Sequence, residues 1–294
     1  ATSDMQTPDM GVVDTCMPDT GSPDMGTPDM GTPDMGTTPT PAFTLQLLHF
    51  ADIDGNEATA LDAVDEFSAL VDGLRNDPTY GAQTLLVSAG DNLIPGPRWF
   101  AAESDTVRAF SGSNEPGHAD HYIMNQLGVV ASALGNHDLD QGPGELADAI
   151  SPESRGMAMF PGTQFPYLAA NVDFSGESDI TVFPDGMDYA MAATGVAGSA
   201  TVQIGGETIG LVGVASPSLP SITTTGNLRV SGSSTDMGML AAAVQPTIDA
   251  LTAAGVNKIV VLAHLQQLAE EKMLAAQLRD ADIIVAGGSN TRMG

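Results

Sequence analysis

The residues best placed to do chemistry stand together at Gly135-Asn136-His137-Asp138, directly after the apolar run 129–134. An amide, an imidazole and a carboxylate follow one glycine, which lets the backbone turn tightly and brings its neighbours close to a ligand. The same order recurs along the chain. Asp52 and Asp54 follow the apolar run 44–50, Asp91 follows 84–89 and Gly90, and His264 follows 258–263. The run 282–286 ends in Gly287-Gly288 and then Ser289-Asn290-Thr291. One such ending reads equally well as a polar turn; five in sequence order do not. If each apolar run is a strand, the polar residues gather at one edge of a sheet, where open α/β folds bind ligands. Aspartates, an amide and imidazoles meeting there suit a dinuclear metal site, because carboxylate can bridge cations while imidazole and amide complete each shell.

Strands must therefore carry these residues, and helices must cover them. Short Val-, Leu- and Ala-rich runs such as Thr84–Ala89, Ile209–Val214 and Lys258–Ala263 suit buried strands. Tyr167–Val172 and Ala200–Ile204 are further strands in a region rich in Gly, Pro and Asp. Between Glu57 and Leu74 the apolar positions Leu61, Val64, Phe67, Leu70, Val71 and Leu74 recur at helical spacing. Helices are also expected over His121–Leu127, over Met239–Ala254 with Pro246 starting or interrupting it, and over Leu268–Leu278.

The N-terminal part has another character. Thr-Pro-Asp-Met-Gly begins at Thr7, Thr27 and Thr32, with close variants at Met17 and Ser22. Proline every few residues removes backbone donors, and no apolar periodicity remains to bury. Residues 1–42 are expected to form a disordered acidic stalk, and 43–294 a folded domain. A stalk of this kind fits an exported protein. The net charge of -28, with only nine Lys or Arg, argues against a nucleic-acid polymer as partner. It fits a protein of high-salt surroundings or one that binds divalent cations. The lone cysteine, Cys16, excludes a disulfide framework within the chain, and no apolar run is long enough to span a bilayer.

The ordered set Asp52, Gly90-Asp91-Asn92, Gly135-Asn136-His137-Asp138, His264 and Gly287-Gly288 resembles the calcineurin-like metallophosphoesterases. The wording around it (Leu47-Leu48-His49-Phe50-Ala51-Asp52, and Phe165 to Val172) is most similar to the 5'-nucleotidase catalytic domain. The resemblance spans about Thr44 to Thr291. It implies a four-layer α/β/β/α sandwich and metal-dependent hydrolysis of small phosphate esters, nucleotides above all. Two cations would lower a water's pKa and hold the developing phosphoryl charge. Asp52 resembles a ligand of the first cation, Asp91 the bridging carboxylate, and Asn136 and His264 ligands of the second. His137 resembles the catalytic histidine and Asp138 the acid that orients it.

Three positions depart from the family pattern: Asp54, Ser289 and Thr291 stand where histidines are usual. Asp54 retains a carboxylate for a cation, whereas Ser289, Asn290 and Thr291 are weak ligands that act best through water. Such a donor set favours Mg, Mn or Ca over Zn, with a weak second site. The rival reading is a degenerate member that binds metal or phosphate without turnover. Among the remaining polar residues, His49 is expected in the core or behind the site. His118 and His121 are expected as a surface pair, and Glu270, Glu271 and Lys272 as a solvated helix face.

Overall fold

The computed structural model describes residues 43–53, 63–96, 99–100, 102–155 and 158–289. The stalk, Asp54, Asn290 and Thr291 lie outside the described residues. Two five-stranded sheets form the framework. The first contains β1 (Gln46–Phe50), β2 (Thr84–Ser88), β3 (Ser132–Ala133), β4 (Tyr167–Leu168) and, after β5 of the second sheet (Met187–Asp188), β6 (Val196–Ala197). They lie in the order β1-β2-β3-β4-β6, every neighbouring pair parallel. The second sheet adds β7 (Ser199–Ile204), β8 (Glu207–Ala215), β9 (Ile259–His264) and β10 (Ile283–Gly287), in the order β10-β9-β8-β7-β5. Only the β7–β8 hairpin, closed by Gly205-Gly206, is antiparallel there.

Side chains alternate between faces along each strand, and that alternation builds three apolar cores. Leu85 and Val87 of β2, Leu211 of β8 and Leu262 of β9 meet between the sheets. Leu86, the intervening residue of β2, points outward to Val71 of α1 (Val64–Arg75), Met124 of α3 (His118–Leu127) and Leu146 of α4 (Pro143–Ile150). The short α2 (Asp105–Ser111) packs beside α3. On the far side, Val212 of β8 and Val261 of β9 pack against Leu240, Val244 and Ile248 of α5 (Met237–Ala253) and Leu274 of α6 (Leu268–Ala275). Helix α5 runs unbroken through Pro246. The apolar face buried by Leu240, Val244, Ile248 and Leu251 outweighs the roughly 3 kcal/mol that an interior proline costs.

Several side chains are not where the sequence alone puts them. His49 is exposed, although Leu47 on the same face of the edge strand β1 packs against the inter-sheet core. His118 and His121 are buried rather than a surface pair. The end of α4 explains them, because the last carbonyls of a helix lack intrahelical partners. Nε2 of His118 bonds to the Asp148 carbonyl at 2.8 Å, and Nδ1 of His121 to the Ala149 carbonyl at 2.8 Å. Glu271 is also buried, not part of a solvated face. Its Oε1 accepts the Leu265 N–H at 3.1 Å, and Glu270 Oε2 accepts the Gln266 N–H at 3.1 Å. The two glutamates thus fold back over the start of their own helix, as capping residues do, and burial pushes the Glu271 carboxyl up to about 7.

Candidate metal centre

The C-terminal ends of β1, β2, β3, β9 and β10 converge. Asp52 N–H donates to the Gly90 carbonyl at 3.1 Å, joining the exits of β1 and β2. Nδ1 of His264 donates to the Ala89 carbonyl at 2.7 Å, joining the second sheet to the first. The Gly288 N–H, just past β10, donates to Asp52 Oδ2 at 3.0 Å. The closeness requires glycine at two points. A Cβ at Gly135 would collide with the Asp91 backbone N and Oδ1, and one at Gly288 would lie 2.9 Å from His264 Nε2. Asp52 and Asp91 both adopt left-handed backbone, φ 54° and 56°. Aspartate tolerates this region better than most residues, but it remains uncommon and tends to gather where function over-determines geometry.

Asp52, Asp91 and His264 each offer one ligand atom, and these atoms all lie within 4.8 Å of one another. The His264 imidazole is fully buried. Its Nε2 sits 3.0 Å from Asp91 Oδ2 yet makes no directed hydrogen bond. A buried ring nitrogen with no well-directed hydrogen bond, facing two carboxylates, fits a divalent cation between them. Burial works against charging His264, but Asp91, the Ala89 carbonyl and Asp52 together push its pKa up to about 9. Asp52 is raised, chiefly by burial, against the pull of the Gly288 N–H and His264. Asn136, also buried, has its Oδ1 2.8 Å from Gln266 Nε2. Ser289 follows Gly288 at the exit of β10.

His137 opens a single 3-10 turn, His137–Leu139, and its backbone N–H donates to Asp91 Oδ1 at 2.8 Å. The imidazole is therefore tethered to the cluster. The carboxylate that orients it is Asp140, not Asp138: Nδ1 lies 2.7 Å from Asp140 Oδ2, and Asp140 Oδ1 takes the Thr223 hydroxyl at 3.1 Å. Residues three apart stack in such a turn, so His137-x-x-Asp140 was the signal, while adjacent residues point apart. Asp138 has another task. It accepts N–H bonds from Asp91, Asn92, Leu93 and Gly135, at 2.8 to 3.1 Å, and so shapes the backbone that presents Asp91. Burial and the nearby Asp91 push its pKa up to about 6, against the pull of the Gly135 and Asn92 N–H groups and His264. Asp140 and Gln266 are the residues that sequence reasoning missed; nothing in the linear order of residues marks Gln266.

No protein-family model matches the chain. The 5'-nucleotidase of Bos taurus is 30% identical over 208 residues, which span 70% of this chain and 29% of that protein. The 5'-nucleotidase of Diplobatis ommata is 28% identical over 257 residues, 85% of this chain and 38% of its own. The chain thus spans about a third of the length of these relatives. Among solved structures, a 5'-nucleotidase precursor from Thermus thermophilus superposes with a TM-score of 0.60 at 28% identity, over 86% of this chain and 43% of that one. A calcineurin-like phosphoesterase from Bacillus subtilis superposes with a TM-score of 0.56 at 21% identity, over 84% of this chain and 72% of that one, a likeness of fold.

Proposed function

We propose, from its sequence likeness to 5'-nucleotidases and its likeness of fold to a calcineurin-like phosphoesterase, that the chain is a member of that superfamily and hydrolyses small phosphate esters, nucleotides foremost, with divalent cation assistance. The observation that carries this reading is the His137–Asp140 pair tied through a backbone N–H to the Asp52, Asp91 and His264 cluster. Asp52, Asp91 and His264 would hold the cation, with Asp54 and Asn136 as further donors. Two carboxylates make a hard donor set, which favours Mg, Mn or Ca over Zn. A cation held there would lower the pKa of a water and stabilise charge on the phosphoryl oxygens.

The chain's own residues do the rest. With Nδ1 of His137 committed to Asp140, the proton exchanged with substrate is carried at Nε2. Asp140 holds the ring in that tautomer and steadies its charged form, and Thr223 holds Asp140. The His137 side chain is about one-third exposed, so a phosphate ester arriving from solvent meets it beside the cluster. Export to the cell surface or beyond fits the acidic stalk.

Turnover of an aryl phosphate and of nucleoside monophosphates, with Mg or Mn supplied, tests the reading. Metal-dependent release of phosphate supports it; none from protein that has bound the cation sinks it. The second reading, a member that holds a cation or phosphate without turnover, is favoured by Ser289 and Thr291 in place of imidazoles.

A further inference from the structure

The donor set of this centre matches one cation better than two. Backbone N–H groups already hold one oxygen of each carboxylate: Gly288 on Asp52 Oδ2 and His137 on Asp91 Oδ1. The other Asp91 oxygen lies 3.0 Å from Nε2 of His264, which makes no well-directed hydrogen bond. Asp52 and Asp91 are the two carboxylates of the cluster. Asn136 is the residue that the resemblance gives to the second cation, and its ligand atom already accepts a hydrogen bond. Gln266 Nε2 lies 2.8 Å from Asn136 Oδ1, so the partial positive charge of an amide N–H stands against the oxygen that a second cation would use. Gln266 is not free to drift. Its backbone N–H is held by Glu270, and the preceding Leu265 N–H by Glu271, so the turn after β9 is clamped at both positions.

We propose that the chain holds a single divalent cation at Asp52, Asp91 and His264, and that the Gln266 side chain closes the second position by engaging Asn136. This rests on the metal-dependent reading above and sets its stoichiometry. A phosphate ester then brings its own charge to a one-cation centre, with the His137 imidazole as the second electrophilic group.

The test is Mn binding without substrate, by calorimetry and by metal content after desalting, with the electron paramagnetic resonance of the bound Mn as a second readout. The parent should take up one Mn per chain and show the spectrum of an isolated ion. His264→Ala should weaken that binding by about tenfold or more, the range seen when groups supporting a metal are removed. Gln266→Ala should keep the first Mn and admit a second, weaker one. Gln266→Glu, which replaces the amide donor with a carboxylate, should admit the second more tightly, with an exchange-coupled spectrum. Thermal melting of each variant checks that it folds.

Two Mn per parent chain with a coupled spectrum would overturn the inference, as would no bound Mn. So would Gln266 variants, both folded, that match the parent in stoichiometry and affinity. One bound Mn without phosphate release would sink the phosphoesterase reading and leave this inference standing.

Discussion

Two polar regions lie side by side beneath the strand ends, and they differ in one respect. In the first, Asn92, Ser88, Ser132, Tyr167 and His121 form a network with its partners in place. Asn92 Nδ2 donates to Ser132 Oγ at 2.8 Å and to the Tyr167 hydroxyl at 3.1 Å, while Ser88 Oγ donates to Asn92 Oδ1 at 2.6 Å. His121 must donate from Nδ1 to the Ala149 carbonyl, so its Nε2 accepts from the Tyr167 hydroxyl at 2.8 Å. In the second region, Nε2 of the equally buried His264 stands among two carboxylates, 3.0 Å from Asp91 Oδ2, without a well-directed hydrogen bond. Buried polar groups are normally satisfied. A satisfied network holds strands together; an unsatisfied nitrogen beside it marks a place for a ligand.

Breaking each region should therefore produce a different kind of loss. Asp91→Ala removes the carboxylate shared by the cluster and by the His137 backbone. Cation binding and turnover are expected to vanish together, which calorimetry and a phosphate-release assay would show; retained binding would mean that Asp91 is not a ligand. His137→Ala should separate the two properties. Loss of a positioned proton donor costs about a hundredfold or more in kcat, while Mn affinity stays near the parent value. If kcat is unchanged, the role given to His137 is wrong.

The satisfied network should answer in stability alone. Tyr167→Phe leaves Asn92 Nδ2 and His121 Nε2 each short of a partner and should cost about 1–3 kcal/mol in urea unfolding, with Mn affinity unchanged. A shift in Mn affinity would show that the regions are coupled. An effect of similar size is a pH slope. Burial holds His121 neutral and lowers its pKa to about 3 from 6.5. Between those values only the unfolded chain takes up the proton, so this contribution to stability is complete above pH 6.5 and declines as pH falls toward 3. Going from pH 6.5 to 5 should cost roughly 2 kcal/mol through this group, and His121→Gln should flatten that part of the profile.

The same contrast shows what could be read from the linear chain. Each ligand-bearing residue follows a short apolar run, most of them with glycine close by, a local pattern that survives without any knowledge of the fold. The buried histidines were misread because their partners are carbonyls of α4, 28 to 30 residues away. A spacing of three on a helix says that His118 and His121 share a face. It does not say which helix end that face meets. The orienting role of Asp138 is what the family resemblance implies, whereas in this chain a 3-10 turn brings Asp140 to the imidazole.

By itself, then, the amino-acid order determined the strand-and-helix alternation, the superfamily resemblance and the residue types delivered to one sheet edge, because apolar periodicity and glycine placement act locally. Only the tertiary structure decided which of those residues meet. Two sheets had to pack before His264 could face Asp91 from the opposite sheet, and the turn after β9 had to close before Gln266 could reach Asn136, 130 residues away. Such contacts depend on the register and packing of whole sheets, and no window of sequence encodes them.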